Sequence, residues 1–189
     1  MQIGLYFGSF NPVHIGHLII ANTVLSASKL DKLWFVISPQ NPLKASSTLL
    51  SEYHRKHLID LAIEGENKFR TSNVEFSLPK PSYTIDTVTY LSEKHPSHTF
   101  TIILGSDSFT NIKKWKNYEL LLKNYRIIIY GRPGFEISDP LPSTVNMVAA
   151  PLLEISSTLV RERIKNNQSI KFFVPDVVKE EIERNHYYS

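Results

Sequence analysis

The chain has 189 residues and is 42% apolar, which is enough for one sizeable α/β domain with a packed core over residues 1–189. Its formal net charge of +3 suits a small anionic ligand, and with no basic block it makes no case for nucleic acid. There is no cysteine, which excludes a disulfide framework, a thiolate zinc site and a cysteine nucleophile. The first residues run into an apolar segment without a charged leader. No apolar run approaches the ~20 residues of a membrane span, so a soluble cytoplasmic enzyme without a membrane partner is expected.

Strand and helix patterns alternate along the chain, which predicts a parallel sheet with helices on both faces. QIGLYF (2–7) reads as a buried strand and LIIANTVLSAS (18–28) as a helix with Leu18, Ala21 and Leu25 on one face. Lys32–Ser38 is the second strand, and Pro39–Leu50, with two prolines, reads as a mobile loop carrying Lys44. Ser51 is expected to cap a helix that turns Leu58, Ile59, Ala62 and Ile63 inward and leaves Arg55–His57 on the surface. Phe69–Phe76 reads as a third strand and LPKPSYT as a rigid turn. Thr84 then caps a helix ending near Lys94. Phe100–Leu104 is a strand running into a Gly-Ser-Asp turn, and NIKKWKNYELLLKN is helical in its later half. Arg126–Tyr130 and Val145–Ala149 are further strands. ISSTLVRERIKN is a helix opened by Ser156, Ser157 and Thr158. The last helix begins at a proline and places Val178 and Ile182 on one face.

The stretch Gly8-Ser9-Phe10-Asn11-Pro12-Val13-His14-Ile15-Gly16-His17 joins the first strand to the first helix. Such a turn is where open α/β sheets bind ligands. Its glycines allow close backbone approach, and the new helix aims free N–H groups and about half a positive charge at the turn. His14 and His17, three residues apart, project the same way, so two imidazole donors over a helix start make a phosphate site. In ISSTLVR, Arg161 lies four residues after Ser157 and three after Thr158, which puts hydroxyls and guanidinium on one face as a second phosphate cradle. In LGSDS, Asp107 at a strand end is placed to accept hydrogen bonds from ribose hydroxyls. KKWK around Trp115 reads as a basic face with one half-buried tryptophan.

GSFNPVHIGH resembles the GxFxPxHxGH signature of the nucleotidyltransferases, and Ile155, Ser156, Ser157, Thr158 and Arg161 match that family's ISxTxxR motif. The order GSFNPVHIGH, prolyl loop, Arg55, PSYTIDT, GSDS, Trp115, GRPG and ISSTLVR resembles one branch, the bacterial nicotinate mononucleotide adenylyltransferases. The resemblance implies a Rossmann-like doubly wound fold, with ATP and nicotinate mononucleotide as substrates and a homo-oligomer left open. His14, His17 and Arg161 are then catalytic. The ATP site comprises these three with Gly8, Ser9, Phe10, Gly16, Gly105, Asp107, Ile155, Ser156, Ser157 and Thr158. The acceptor site comprises Lys44, Ser82, Tyr83, Thr84, Trp115 and Arg132, with Thr84 and Trp115 at the pyridine end. Mg²⁺ is expected to be held mainly by phosphates and water, because no carboxylate cluster is visible. One departure is that Leu43 stands where the branch commonly has histidine, which leaves the role of Lys44 open. Nicotinamide mononucleotide and phosphopantetheine are the alternative acceptors, and a non-catalytic nucleotide sensor is the alternative class. A class I synthetase fragment lacks support, because no KMSKS-like stretch follows HIGH.

Overall fold

A computed structural model of the chain describes residues 1–40, 49–138 and 140–189. Its centre is a sheet of six parallel strands: β1 (Gln2–Gly8), β2 (Lys32–Ile37), β3 (Phe69–Ser72), β4 (Thr99–Gly105), β5 (Arg126–Tyr130) and β6 (Val145–Val148). They lie in the order β3-β2-β1-β4-β5-β6. The chain winds outward one way from β1 and then returns to wind the other way from β4. The crevice between the carboxyl ends of β1 and β4 is therefore the switch point where doubly wound sheets take ligands.

The connecting helices are α1 (Ile15–Ala27), α2 (Glu52–Ala62), α3 (Thr84–Lys94), α4 (Ser106–Phe109), α5 (Tyr118–Asn124), α6 (Ser157–Lys165) and α7 (Asp176–Arg184). Alternation along the strands divides the core in two. Leu33, Phe35 and Ile37 of β2 face a layer completed by Ala21, Val24, Leu58, Ile59, Val160, Val178 and Ile182 from α1, α2, α6 and α7. Trp34 and Val36 face the other layer with Ile85, Val88 and Leu91 of α3 and Leu121 of α5. The inner strands β1, β2, β4 and β5 bury residues on both faces, as a parallel sheet covered by helices requires.

Local readings differ from the structure at a few points. β3 ends at Ser72, and Val74–Phe76 is a 3₁₀ turn rather than more strand. β3 is an edge strand with only β2 to pair with, and the turn buries the Glu75 side chain instead of exposing it on a pleat. Thr84 does not cap α3. It is the first helical residue, and Tyr83 holds the cap position without a side-chain bond. Ser51 stands at the cap of α2 but also makes no capping bond. The Gly-Ser-Asp turn is the short helix α4. Arg55, expected at the surface, is completely buried, while His57 two residues on is exposed.

Candidate active site

The loop after β1 is built on aromatic packing. Phe10 has φ 46°, a left-handed conformation that costs a non-glycine residue about 1–3 kcal/mol. Its ring is held at 5.5 Å from Tyr6, 5.5 Å from Phe35 and 4.9 Å from His17, so the core fixes the turn. Helix α1 then starts with a reciprocal cap. The His17 backbone N–H donates to His14 Nδ1, and the His14 backbone N–H donates to His17 Nδ1, each at 3.3 Å. The two rings stack with centroids 3.6 Å apart. This cap fixes the tautomers. A ring nitrogen that accepts a hydrogen bond carries no proton, so each neutral ring keeps its N–H on Nε2. Burial, followed by the positive charge of Arg132, pushes the His14 pKa down to about 3, so this imidazole is a neutral donor across the physiological range. Gly16 is required between the two histidines. A Cβ there would lie 3.0 Å from His14 Nδ1 and 3.6 Å from the Ile155 carbonyl oxygen.

That approach brings in the second motif. Ser156 caps α6 by accepting the Leu159 N–H at 3.1 Å. Ser157 Oγ donates to the Pro12 carbonyl at 2.8 Å, and Arg161 Nη1 donates to the Asn11 carbonyl at 2.7 Å. Arg161 Nη2 also reaches Thr158 Oγ1 at 3.3 Å. Ser157 and Arg161 thus hold the loop after β1 at Pro12 and Asn11, and the Ile155 carbonyl lies beside Gly16. Arg55 grips that loop from the other side. Its guanidinium donates to the carbonyls of Ser9, Ser38, Pro39 and Leu50, and Asn11 Oδ1 accepts the Leu50 N–H at 3.1 Å. A charge run on a helix gives no local hint of this, because the acceptors converge only when β1 and β2 pair.

Across the switch point, Gly105 ends β4. A Cβ there would collide with the Asp107 carboxylate and press on the Tyr130 ring. Asp107 Oδ1 stands 3.7 Å from Arg132 Nε, and Arg132 Nη2 reaches Tyr130 Oη at 3.4 Å. Tyr130 Oη in turn meets Tyr6 Oη at 3.2 Å, and burial raises the Tyr6 phenol further out of the titrating range. The Arg132 backbone N–H donates to Ser106 Oγ at 2.8 Å, tying the turn after β5 to α4.

The PSYT turn and the Trp115 segment meet through Lys116. Its ammonium lies 5.0 Å from the centre of the Tyr83 ring and 2.8 Å from Asp86 Oδ2. Trp115 is half-buried beside α3 and α5. Ser82 is buried. Glu75 Oε1 accepts from Thr87 Oγ1 at 2.8 Å, and burial raises the acid's pKa. Lys44 lies outside the described residues. Among those described, no group of three or more His, Asp or Glu could hold a metal ion, and no helix is long and apolar enough to cross a membrane.

Residues 5–163 match the family model described as cytidylyltransferase-like. A relative from Cytophaga hutchinsonii, named "Probable nicotinate-nucleotide adenylyltransferase", is 48% identical over 190 residues, covering 100% of this chain and 99% of its own. The chain belongs to the nicotinate-nucleotide adenylyltransferase family. A second relative of that name, from Flavobacterium psychrophilum, is 45% identical over 191 residues, with 100% of this chain and 99% of the relative covered. The fold is also that of the Plasmodium falciparum nicotinic acid mononucleotide adenylyltransferase solved with NaAD. The TM-score is 0.84 at 24% identity, over 99% of this chain and 97% of that one. The likeness to relatives of this name therefore runs over the whole chain, PSYTIDT and Trp115 as well as GSFNPVHIGH.

Proposed function

We propose that the chain joins ATP and nicotinate mononucleotide to give deamido-NAD and pyrophosphate, the adenylyl-transfer step of NAD biosynthesis, with residues 1–189 acting as one cytoplasmic nucleotidyltransferase domain. The observation that carries this reading is the stacked, reciprocally capped His14–His17 pair at the switch point, packed against the Arg161 segment. A 5′-phosphate oxygen of the mononucleotide attacks the α-phosphorus of ATP in line. The bond from that phosphorus to the bridging oxygen breaks, and pyrophosphate leaves with the electron pair. The nucleophile is already an anion, so no general base is needed and the protein supplies position and charge neutralisation.

His14 and His17 would donate Nε2–H groups to ATP phosphates, with His17 at the α-phosphate. Arg161, Ser157 and Thr158 would hold the leaving pyrophosphate, and Asp107 the ribose hydroxyls. The donors around the loop are imidazoles, hydroxyls and a guanidinium, with no carboxylate cage, which fits a Mg²⁺ ion carried by the phosphates and water. Bound there, the ion would neutralise phosphate charge.

At the acceptor end, the nicotinate ring of the mononucleotide is a cation bearing a carboxylate. A tryptophan face attracts a cation by about 0.5–2 kcal/mol, and the N-terminus of α3 at Thr84 favours the anion. Ser82, Tyr83 and Arg132 complete this side of the proposed site.

The test is pyrophosphate release from ATP and Mg²⁺ with a panel of acceptors. Nicotinate mononucleotide should be used best and nicotinamide mononucleotide several-fold to tens-fold less well, with phosphopantetheine hardly used. Equal use of both pyridine acceptors removes the carboxylate argument but keeps the enzyme class. Transfer to phosphopantetheine alone overturns the acceptor assignment.

A further inference from the structure

The carboxyl ends of β4 and β5 meet beside the switch point. Tyr130, the last residue of β5, is in register with Gly105, the last residue of β4. Its phenol end lies against the Gly105 backbone, since a Cβ there would stand 3.2 Å from both Tyr130 Cζ and Oη. The Tyr130 ring is buried, and its hydroxyl meets two partners. On one side it lies 3.2 Å from Tyr6 Oη, with the two rings edge to face at 5.9 Å. On the other, Arg132 Nη2 donates to it at 3.4 Å, and the guanidinium carbon lies 5.5 Å from the centre of the Tyr130 ring.

Arg132 takes charge and direction from different neighbours. Asp107 Oδ1 stands 3.7 Å from Arg132 Nε, near enough to attract it but beyond hydrogen-bond reach. Nε has no hydrogen-bond partner among the described residues. Coulomb attraction at that separation depends on distance and hardly on angle, so the carboxylate does not fix where the Nη fork points. A guanidinium has donors only, so the contact with Tyr130 runs one way, from Arg132 to the phenol oxygen. It is the one hydrogen bond of this side chain among the described residues. The Arg132 side chain is still 28% exposed, which leaves it open to a ligand.

We propose that Tyr130 is a positioning residue for the acceptor: its hydroxyl aims the Arg132 guanidinium at the anionic groups of the mononucleotide. This rests on the roles given to Arg132 and Asp107 above. Once ribose hydroxyls engage the Asp107 carboxylate, its pull on Arg132 is shared, and the phenol oxygen is the contact that stays. Tyr130 touches neither substrate and acts through Arg132.

The experiment is Tyr130→Phe, which removes one oxygen and keeps the ring face beside Arg132. The KM for nicotinate mononucleotide should rise roughly five- to twenty-fold, near the lower end for a hydrogen bond to a charged group because this one is long. The KM for ATP and kcat should each stay within about two-fold of wild type. Tyr6→Phe deletes the other hydroxyl of the pair and leaves Arg132 its acceptor, so its KM for nicotinate mononucleotide should change by no more than about three-fold. A merely loosened core would move both variants together. In Arg132→Met, Tyr130→Phe should add nothing further, because the two residues act as a unit. An acceptor KM within about two-fold of wild type in Tyr130→Phe, equal rises in the two phenylalanine variants, or full additivity with Arg132→Met overturns the proposal. Wild-type turnover is measured first, and its absence with every acceptor counts against the proposed function instead. The hold on Arg132 is then still read without substrate, by nitrogen NMR of the arginine side chains. Rotation about Cζ–Nε of Arg132 should be slow in wild type and fast in Tyr130→Phe, and equal rates in the two proteins overturn the proposal.

Discussion

Replacing Arg55 by methionine tests whether the loop at the switch point is held from beneath. Arg55 is among the largest fully buried side chains, and its guanidinium serves four backbone carbonyls, at Ser9, Ser38, Pro39 and Leu50. Methionine fills much of the volume and donates nothing. Each hydrogen bond to a charged donor contributes about 1.5–3 kcal/mol, but releasing a buried guanidinium from its desolvation returns several kcal/mol. The net cost should be about 3–5 kcal/mol, because four carbonyls lose their donor at about 1–3 kcal/mol each and the released desolvation offsets part of that. In a domain of this size each kcal/mol moves the melting point by about 2–4 °C, so Arg55→Met should melt about 6–20 °C lower. His57→Ala, on the same helix but exposed, is the control and should move stability by no more than about 0.5 kcal/mol. Below its melting point Arg55→Met should also bind ATP weakly, because the Ser9 and Pro39 carbonyls lose their common tether. Thermal denaturation followed by circular dichroism reads the first effect. A melting point within 2 °C of wild type would refute the reasoning.

His17→Ala should lower turnover about 10²–10³-fold with the fold intact, as loss of a transition-state donor does, and near-normal turnover would remove His17 from the mechanism. Arg161→Ala should weaken ATP use, and Arg161→Lys should restore only part of it, since an ammonium lacks the guanidinium fork. Unchanged ATP kinetics in both would make α6 a plain capped helix. The acid limb of stability should carry the signature of His14. Its pKa is about 3 folded against 6.5 for the ordinary side chain, so between these values the unfolded chain binds the extra proton and stability falls as pH drops from 6.5 toward 3. Denaturant unfolding across that window should show a shallower slope in His14→Gln, and an identical slope would mean that His14 is not held neutral.

The parts of this molecule that the sequence made legible are those written in local periodicity. The alternation of β2, with Leu33, Phe35 and Ile37 to one layer and Trp34 and Val36 to the other, is a two-residue pattern. The spacing of Val178 and Ile182 is a helical one. The pairing of His14 with His17, and the placing of Ser157 and Arg161 on one side of α6, were legible for the same reason, since each pair are near neighbours in sequence. Two of the missing readings depend on distant partners, and one is local. Arg55 looks like any charged residue on a helix until β1 and β2 bring carbonyls from Ser9 and Ser38 to one point. Glu75 looks like the polar member of an alternating strand until α3 lays Thr87 beside it. Thr84 looks like a helix cap, but the turn before it already sets the backbone, and Tyr83 takes that position without a side-chain bond.

The division of charge around the loop follows from the same geometry. A site for a triphosphate and a phosphate nucleophile faces many negative charges, and a cluster of free cations would meet them with strong ground-state binding. Uniform binding of that kind lowers KM without raising turnover. Here Arg55 has committed its donors to four carbonyls, and Arg132 is engaged by Asp107 and Tyr130. The two histidines are locked by each other's backbone N–H into tautomers that offer Nε2–H, and His14 stays uncharged. Arg161 is tied to the Asn11 carbonyl and Thr158, and on the proposed mechanism it meets phosphate from α6. On the proposed mechanism the neutral His14 imidazole holds its orientation without recruiting a proton, which is the condition under which oriented dipoles favour the transition state over the bound substrate. Gly16 spares the arrangement a crowded contact, since a Cβ there would press to 3.0 Å on His14 Nδ1 in the stacked pair.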